Sequence, residues 1–119
     1  MRVLIVDDSE PIRQILRRTI ENKTTFTIVG EACNGAVAVD AMEQLQPDVI
    51  VMDINMPVMD GVEAARLIKS AFPAVHIVVC TSNNSNEVSD LLDEGVIVGQ
   101  VYKTATNDLV DQLKELESR

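Results

Sequence analysis

The sequence predicts a doubly wound α/β domain, in which helices cover both faces of a parallel β-sheet. Short apolar runs alternate along the chain with segments whose apolar residues recur at helical spacing. Five runs of each kind follow one another, and this alternation requires parallel strands joined by crossover helices. Aromatic residues are only 3% of the 119 residues, so the predicted core is aliphatic. We expect residues 1–119 to form one domain.

The first half of the chain contains three of the predicted strands and two of the predicted helices. Asp8 or Ser9 caps the first helix, and Pro11 suits its first turn because proline needs no backbone N–H there. Pro47 ends the second helix. The strands are residues 2–6, 26–29 and 49–52, and the helical apolar stripes are Ile12, Ile15, Leu16, Thr19 and Ile20, then Ala38, Ala41, Met42 and Leu45.

The second half of the chain adds two strands and three helices. A polar loop from Thr81 to Asn86 follows the fourth strand, and Gly95 ends the fourth helix. Gly99 and Gln100 weaken the pattern of the fifth strand. The strands are residues 75–80 and 96–102, and the apolar stripes are Ala64, Leu67, Ile68 and Ala71, then Val88, Leu91 and Leu92, then Leu109, Val110, Leu113 and Leu116.

Charge and cysteine content restrict the class of protein. A formal charge of −9 argues against a domain that itself holds nucleic acid, because phosphate contacts require a basic face. The same charge suits a bound cation or a basic partner. No apolar run approaches the roughly 18 residues of a membrane span, and the N-terminus lacks a signal-peptide pattern. We therefore expect no membrane contact. Cys33 and Cys80 are isolated, which favours free thiols and a cytoplasmic location.

Acidic residues stand directly after two of the apolar strands. Asp53 follows the run from Val49 to Met52, and Asp7 with Asp8 follows the first strand. A charged side chain at the end of a buried strand must reach water, a partner or a metal. The carboxyl ends of parallel strands are where ligands bind in this class of fold. We therefore expect the three carboxylates to form one site.

The strand ends supply complementary groups for this site. Thr81 with Ser82 ends the fourth strand, and Lys103 ends the fifth. Converging carboxylates repel one another unless a cation lies among them, and a hard divalent ion such as Mg²⁺ prefers oxygen ligands. A carboxylate nucleophile, a metal ion, a lysine and a hydroxyl are the groups that phosphoryl transfer to a carboxylate would use.

The chain resembles the receiver domains of two-component response regulators, and the resemblance covers essentially its whole length. It implies a flavodoxin-like, three-layer α/β/α fold with strand order 2-1-3-4-5. The matching pieces are Val-Leu-Ile-Val-Asp-Asp at residues 3–8, Asp53-Ile-Asn-Met-Pro57 with Asp60-Gly61, Thr81-Ser82, and Tyr102-Lys103.

The resemblance implies that Asp53 accepts a phosphoryl group from the phosphohistidine of a sensor histidine kinase or phosphotransfer protein. It implies that Mg²⁺, with Mn²⁺ as the alternative ion, is bound by the side chains of Asp8 and Asp53 and by the backbone carbonyl of Asn55. Asp7 would bind the ion chiefly through water. The protein would then catalyse only its own phosphorylation and dephosphorylation, and would not be an enzyme acting on other substrates.

The same resemblance implies a switch. Lys103 would pair with the phosphoryl group, Thr81 would move toward it, and Tyr102 would turn inward behind Thr81. This movement would change the face formed by the fourth helix, the fifth strand and the fifth helix, and so alter partner binding. Asn55 and Asn83 occupy positions that resemble those tuning hydrolysis of the acyl phosphate.

Two features depart from the family pattern, and the output partner is open. Thr104 replaces a common proline, which argues against a cis peptide there, and Ser82 adds a hydroxyl at the mouth of the pocket. Because the chain ends at Arg119, just after the last predicted helix, we expect either a regulator that docks on an output protein or a receiver fused to an effector domain. The acidic fourth helix indicates a basic partner, although a solvated helix explains it equally well.

Other functions explain fewer of these residues. Asp7 and Asp8 alone could cap a helix. A Mg²⁺-dependent phosphatase with an aspartyl nucleophile would use a second Asp two residues after Asp53, where this chain has Asn55. A flavin-binding electron carrier would offer N–H groups to a phosphate in its first loop, where Asp7 and Asp8 would repel one. A phosphorylation-independent interaction module of the same fold stays open. His76 is expected to be structural.

Overall fold

Five strands and five helices alternate along the chain. The structure, a computed structural model, describes residues 1–83 and 85–118, so Asn84 of the predicted polar loop and Arg119 of the predicted domain lie outside the described residues. The strands are β1 (Arg2–Val6), β2 (Thr27–Ala32), β3 (Val49–Met52), β4 (His76–Thr81) and β5 (Gly99–Tyr102), and the helices are α1 (Glu10–Lys23), α2 (Gly35–Leu45), α3 (Gly61–Ala71), α4 (Asn86–Asp93) and α5 (Thr106–Glu117).

All strands are parallel and lie in the order β2-β1-β3-β4-β5, which confirms the predicted fold and strand order. The interior strand β1 alternates between the two sides of the sheet. Leu4 and Val6 belong to the buried cluster on the side covered by α2, α3 and α4, whereas Val3 and Ile5 belong to the cluster on the side of α1 and α5. Because both faces are covered, strands β1 and β3 read as continuous apolar runs. No helix in the described ranges is long and apolar enough to cross a membrane.

Two strand predictions were wrong by more than one residue at one end. Strand β2 continues through Gly30 to Ala32, because these residues pair with Leu4 and Val6 of β1. A Cβ at Gly30 would lie 2.7 Å from the Leu45 side chain, so glycine also lets α2 approach the sheet there. Strand β5 begins only at Gly99, so residues 96–98 lie outside it. Gly99 belongs to the strand because it pairs with Val78 of β4.

Three large residues of the predicted apolar stripes are exposed. Ile15 on α1 is 48% exposed. Leu67 on α3 is 46% exposed and Leu92 on α4 is 40% exposed. The buried stripe of α3 is instead formed by Ala64, Ala65 and Ile68, which are at most 1% exposed. The small alanines bring this helix close to the sheet, and so its contact surface is narrower than the full apolar stripe.

Candidate functional site

The register of the central strands places the predicted acidic residues side by side. Val6 pairs with Met52, so the next residues, Asp7 and Asp53, leave neighbouring strands at the same level. The Asp53 N–H donates to the Val6 carbonyl at 2.9 Å, which continues the ladder beyond the strands. The predicted meeting of these residues at the carboxyl edge of the sheet therefore occurs.

Three carboxylates form a group that we call the acidic cluster: Asp7, Asp8 and Asp53. One oxygen of each lies within 4.8 Å of the others. Asp7 and Asp53 are 1% and 3% exposed, whereas Asp8 is exposed. Lys103 Nζ lies 2.9 Å from Asp7 Oδ2 and 3.0 Å from Asp53 Oδ2. The lysine is therefore the cation that offsets repulsion between the two buried carboxylates.

The buried position of this group changes two pKa values. Desolvation raises the pKa of Asp7, and hydrogen bonds from the Ser9 N–H and from Lys103 limit that rise. Burial alone would lower the pKa of Lys103, but its hydrogen bonds to Asp7 and Asp53 outweigh this effect and raise it. The lysine is accordingly charged at neutral pH and holds the two carboxylates together.

The donor set of the acidic cluster suits a small hard cation. Mg²⁺ binds oxygen ligands at about 2.1 Å, so two oxygens on one ion lie at most about 4.2 Å apart. Separations within 4.8 Å are close to that limit, and the ion commonly keeps several waters. Asp8 is the exposed member and therefore opens the cluster to solvent.

The loop from β3 to α3 carries Asp53 and is held by close backbone contacts. The Gly61 N–H donates to the Ile54 carbonyl at 2.9 Å, and a Cβ on Gly61 would lie 2.2 Å from the Asp53 carbonyl oxygen. Only glycine fits this approach. Val58 has a positive φ of 69° and is 85% exposed, an unusual backbone conformation for a β-branched residue. The Asn55 side chain is exposed, and the Asn55 backbone N–H donates to Asp53 Oδ1 at 3.3 Å.

Thr81 and Tyr102 differ in their surroundings although they are register partners. Thr81 is fully buried, and its Oγ1 has no hydrogen-bond partner in the described part of the chain. Tyr102 is 45% exposed. Paired residues of neighbouring strands share a face, so both point toward the α4 side of the sheet. Gln100, two residues before Tyr102, also lies on that face, and its buried Nε2 is likewise unpartnered among described atoms.

The remaining predicted residues lie at the surface around the acidic cluster. Asn83, Ser82 and Thr104 are exposed. The described residues include no cis peptide bond, so the bond before Thr104 is trans, as expected without proline. Cys80 lies just before Thr81, and burial raises the pKa of its thiol to about 12. The thiol is therefore unreactive at neutral pH.

One contact with the acidic cluster was not predicted from the sequence. Arg13 on α1 donates from Nη1 to the backbone carbonyl of Asp7 at 2.7 Å and from Nε to Glu31 on β2 at 2.9 Å. Nothing in the spacing distinguishes Arg13 from Arg17 or Arg18 on the same helix. Its role becomes visible only when α1 is packed beside β2.

The chain matches the response regulator receiver domain family over residues 3–114. It is 39% identical over 118 residues to the protein-glutamate methylesterase/protein-glutamine glutaminase 1 of Methanosarcina acetivorans, covering 98% of this chain and 34% of that protein. It is 44% identical over 86 residues to the chemotaxis protein CheY of Halobacterium salinarum, covering 72% of this chain and 70% of that one. The isolated REC domain of RcsB from Salmonella enterica serovar Typhimurium superposes with a TM-score of 0.90 at 31% identity, covering 99% of this chain and 88% of that chain.

The match extends over both the fold and the sequence pieces at the strand ends. The chain spans about a third of the length of the methylesterase, whose name describes the activity of that longer protein. Other relatives are named as transcriptional regulatory proteins. The matched residues include all three members of the acidic cluster and Lys103. The chain therefore belongs to the response regulator receiver domain family, the phosphorylation-dependent switches of two-component signalling.

Proposed function

We propose that Asp53 is the residue of this receiver domain that accepts the phosphoryl group. The observation that carries this proposal is the environment of its carboxylate, which is nearly buried, lies beside Asp7, and is 3.0 Å from Lys103 Nζ. Asp7 follows β1 at the same level, and Lys103 engages one oxygen of each carboxylate. The other oxygen of Asp7 accepts from the Ser9 N–H at 2.9 Å, whereas that of Asp53 accepts from the Asn55 N–H at the longer distance of 3.3 Å. Asp53 Oδ1 is therefore the less firmly held of the two and is the oxygen that we expect to attack.

The reaction replaces one bond to phosphorus by another. An oxygen of the Asp53 carboxylate attacks the phosphorus of a phosphohistidine on a sensor histidine kinase or phosphotransfer protein. The new P–O bond forms as the P–N bond breaks, and the imidazole leaves with the electron pair and takes up a proton. Lys103 is placed to pair with a phosphoryl oxygen, because its ammonium group already touches the carboxylate that becomes the acyl phosphate.

The acidic cluster would bind Mg²⁺, with Mn²⁺ as the alternative ion. Asp8 and Asp53 would bind through carboxylate oxygens, Asn55 through its backbone carbonyl, and Asp7 chiefly through water. The ion would neutralise charge that develops on the phosphoryl oxygens. Within the protein, Asp8 supplies the accessible carboxylate, since Asp7 and Asp53 also engage Lys103.

A buried hydroxyl that has no partner within residues 1–83 and 85–118 supports the proposed role of Thr81 as the switch residue. An unpaired buried hydroxyl carries a free-energy cost that a new hydrogen bond removes. A phosphoryl oxygen on Asp53 would offer such a bond to Thr81 Oγ1. Movement of Thr81 would make room for its register partner Tyr102 to turn inward. The exposure of Tyr102 in this structure fits the unphosphorylated position.

Two exposed amides would set how long the signal lasts. Asn55 lies two residues after Asp53, Asn83 lies two residues after Thr81, and both side chains are exposed. We expect their side chains to position or obstruct the water that hydrolyses the acyl phosphate. The proposal does not require an added catalytic domain, and in it residues 1–119 form one receiver domain that modifies only itself.

The output of this cytoplasmic receiver would be partner binding at the face of α4, β5 and α5. Glu87, Asp90 and Asp93 on α4 are exposed, whereas Glu94 pairs with Arg66 of α3. This charge pattern fits a basic surface on an output protein or on a fused effector domain. The domain itself would contact neither nucleic acid nor membrane, and any DNA contact would be made by the effector.

The proposed acceptor can be tested by chemical phosphorylation. The purified protein is mixed with acetyl phosphate and Mg²⁺, and we expect an acid-stable, base-labile phosphoryl adduct that EDTA abolishes. Asp53→Asn should prevent the adduct. Asp60→Asn is the matched control, because Asp60 lies in the same loop and its capping bond to the Glu63 N–H can be made equally by asparagine. Labelling that persists in Asp53→Asn would refute the assignment.

A further inference from the structure

The peptide group between Asp7 and Asp8 lies just beyond the point at which β2 can supply hydrogen bonds. The Asp7 N–H donates to the Ala32 carbonyl at 3.0 Å, and this is the last bond to β2 because that strand ends at Ala32. The Asp7 carbonyl consequently has no further β2 N–H to accept from. Asp7 is only 1% exposed, and a buried carbonyl without a donor is costly.

Arg13 supplies the missing donor. Its Nη1 lies 2.7 Å from the Asp7 carbonyl oxygen, and its Nε lies 2.9 Å from Glu31 Oε1. The Arg13 side chain is only 16% exposed. A guanidinium is planar, so two bonds to acceptors on different strands fix both its position and its orientation. Helix α1, the edge strand β2 and the end of β1 are thereby joined through one side chain.

The carbonyl of Asp7 and the N–H of Asp8 belong to the same planar peptide group. Fixing the direction of that carbonyl therefore fixes the direction in which the chain enters Asp8. We propose that Arg13 is a positioning residue of the acidic cluster. By holding the Asp7 carbonyl, Arg13 orients the Asp8 carboxylate for binding a divalent cation. This inference rests on the proposed Mg²⁺ site and adds a residue that does not touch the ion.

If Arg13 acted only through its charge, removing it would change the Mg²⁺ affinity in the opposite direction from the loss of a positioning residue. Removal of a positive charge near a cation site lowers repulsion and should tighten Mg²⁺ binding. Loss of positioning should weaken it, because supporting residues behind metal ligands typically contribute about 10-fold to 100-fold in affinity. The sign of the change therefore separates the two effects.

Arg17 is the matched control. It lies one turn further along α1 and binds the same carboxylate, with Nε 3.0 Å from Glu31 Oε2. No bond from Arg17 to Asp7 is present in the described structure. Arg17→Ala thus removes a comparable charge and a comparable ion pair while leaving the Asp7 carbonyl bound to Arg13.

The test is a calorimetric Mg²⁺ titration of the unphosphorylated protein at fixed ionic strength, with Tm measured in EDTA. We expect Arg13→Ala to raise the Kd about 10-fold, and Arg17→Ala to leave it within about twofold or to lower it. An Arg13→Ala Kd equal to or below that of the wild type, or an equal increase in both variants, would overturn the proposal.

A conservative variant covers the case in which Arg13→Ala does not fold. Lysine keeps the charge but lacks the fork that reaches Asp7 and Glu31 together, so Arg13→Lys should raise the Kd by about threefold. An unchanged Kd for Arg13→Lys would then overturn the proposal.

Acetyl phosphate labelling of the wild type is measured separately, so that failure of this proposal can be told apart from failure of the phosphoacceptor assignment. A labelled wild type with an unaffected Arg13→Ala Kd refutes only the positioning role, whereas an unlabelled wild type with a weakened Arg13→Ala Kd refutes only the phosphoacceptor.

Discussion

Replacement of Lys103 by methionine should destabilise the metal-free protein in a strongly pH-dependent way. Lys103 Nζ contacts the buried carboxylates of Asp7 and Asp53 at 2.9 and 3.0 Å. At an effective dielectric constant of about 20, each contact corresponds to about 5 kcal/mol of gross attraction, much of which is offset by desolvation. Removing one partner of a buried ion pair typically costs about 3–5 kcal/mol.

Protonation of one carboxyl limits the cost. Neutralising an Asp whose ordinary pKa is about 3.9 requires about 4 kcal/mol at pH 7 but only about 1.5 kcal/mol at pH 5. Without the lysine, the folded-state pKa of Asp7, which burial already raises, moves further above the unfolded value. Stability is then lost as the pH rises from the unfolded pKa toward the folded pKa. We expect a loss of about 3–4 kcal/mol at pH 7 and at most about 1.5 kcal/mol at pH 5.

Urea unfolding in EDTA, followed by circular dichroism at both pH values, measures this difference. Lys114→Met is the control, because Lys114 is an exposed lysine on α5 and its replacement should change stability by less than about 0.5 kcal/mol. A Lys103→Met loss that is the same at pH 5 and pH 7, or below about 1 kcal/mol at pH 7, would refute the electrostatic reasoning.

Three further outcomes follow from local structure. Val58→Gly should raise the free energy of unfolding by about 1 kcal/mol, because glycine adopts the positive φ without strain; urea denaturation tests this. Gly61→Ala should lower it by about 2 kcal/mol and reduce phosphorylation, because the added Cβ meets the Asp53 carbonyl at 2.2 Å. Iodoacetamide at pH 7.5 should modify the exposed Cys33 in the native protein and Cys80, with its pKa of about 12, only after unfolding, as mass spectrometry would show.

The central part of the acidic cluster could be predicted because it depends on strand order and register alone. Apolar runs of similar length ended at Asp7 and Asp53, and parallel neighbours bring such ends together. Lys103 could be placed at the same edge for the same reason. Its simultaneous contact with both carboxylates is a tertiary detail that the spacing of residues does not contain.

Helix orientation was harder to predict than helix position. The stripe containing Leu67 was identified correctly as helical, but the depth of the helix depends on Ala64 and Ala65, whose small side chains allow a close approach to the sheet. Leu92 was assigned inward by the same periodicity and is 40% exposed. Periodicity gives the direction of a buried face, whereas packing determines its width.

Contacts between segments that are distant in the chain could not be predicted from the sequence. The link from Arg13 to Asp7 and Glu31 depends on how α1 lies against β2. The positive φ of Val58 lies in the loop that brings Gly61 back to the Asp53 backbone, and a valine gives no local signal of this conformation. The buried Gln100 Nε2, which has no partner among the described atoms, became visible only once β5 was packed beside β4.

Reductive trapping of the phosphorylated protein tests the central claim most directly. Borohydride converts an aspartyl phosphate to homoserine, and peptide mass spectrometry then locates the modified residue after treatment with acetyl phosphate and Mg²⁺. The account predicts homoserine at position 53 and unmodified aspartate at the other two positions of the acidic cluster. Homoserine at Asp7 or Asp8, or none at Asp53 in protein that carries the phosphoryl group, would contradict it.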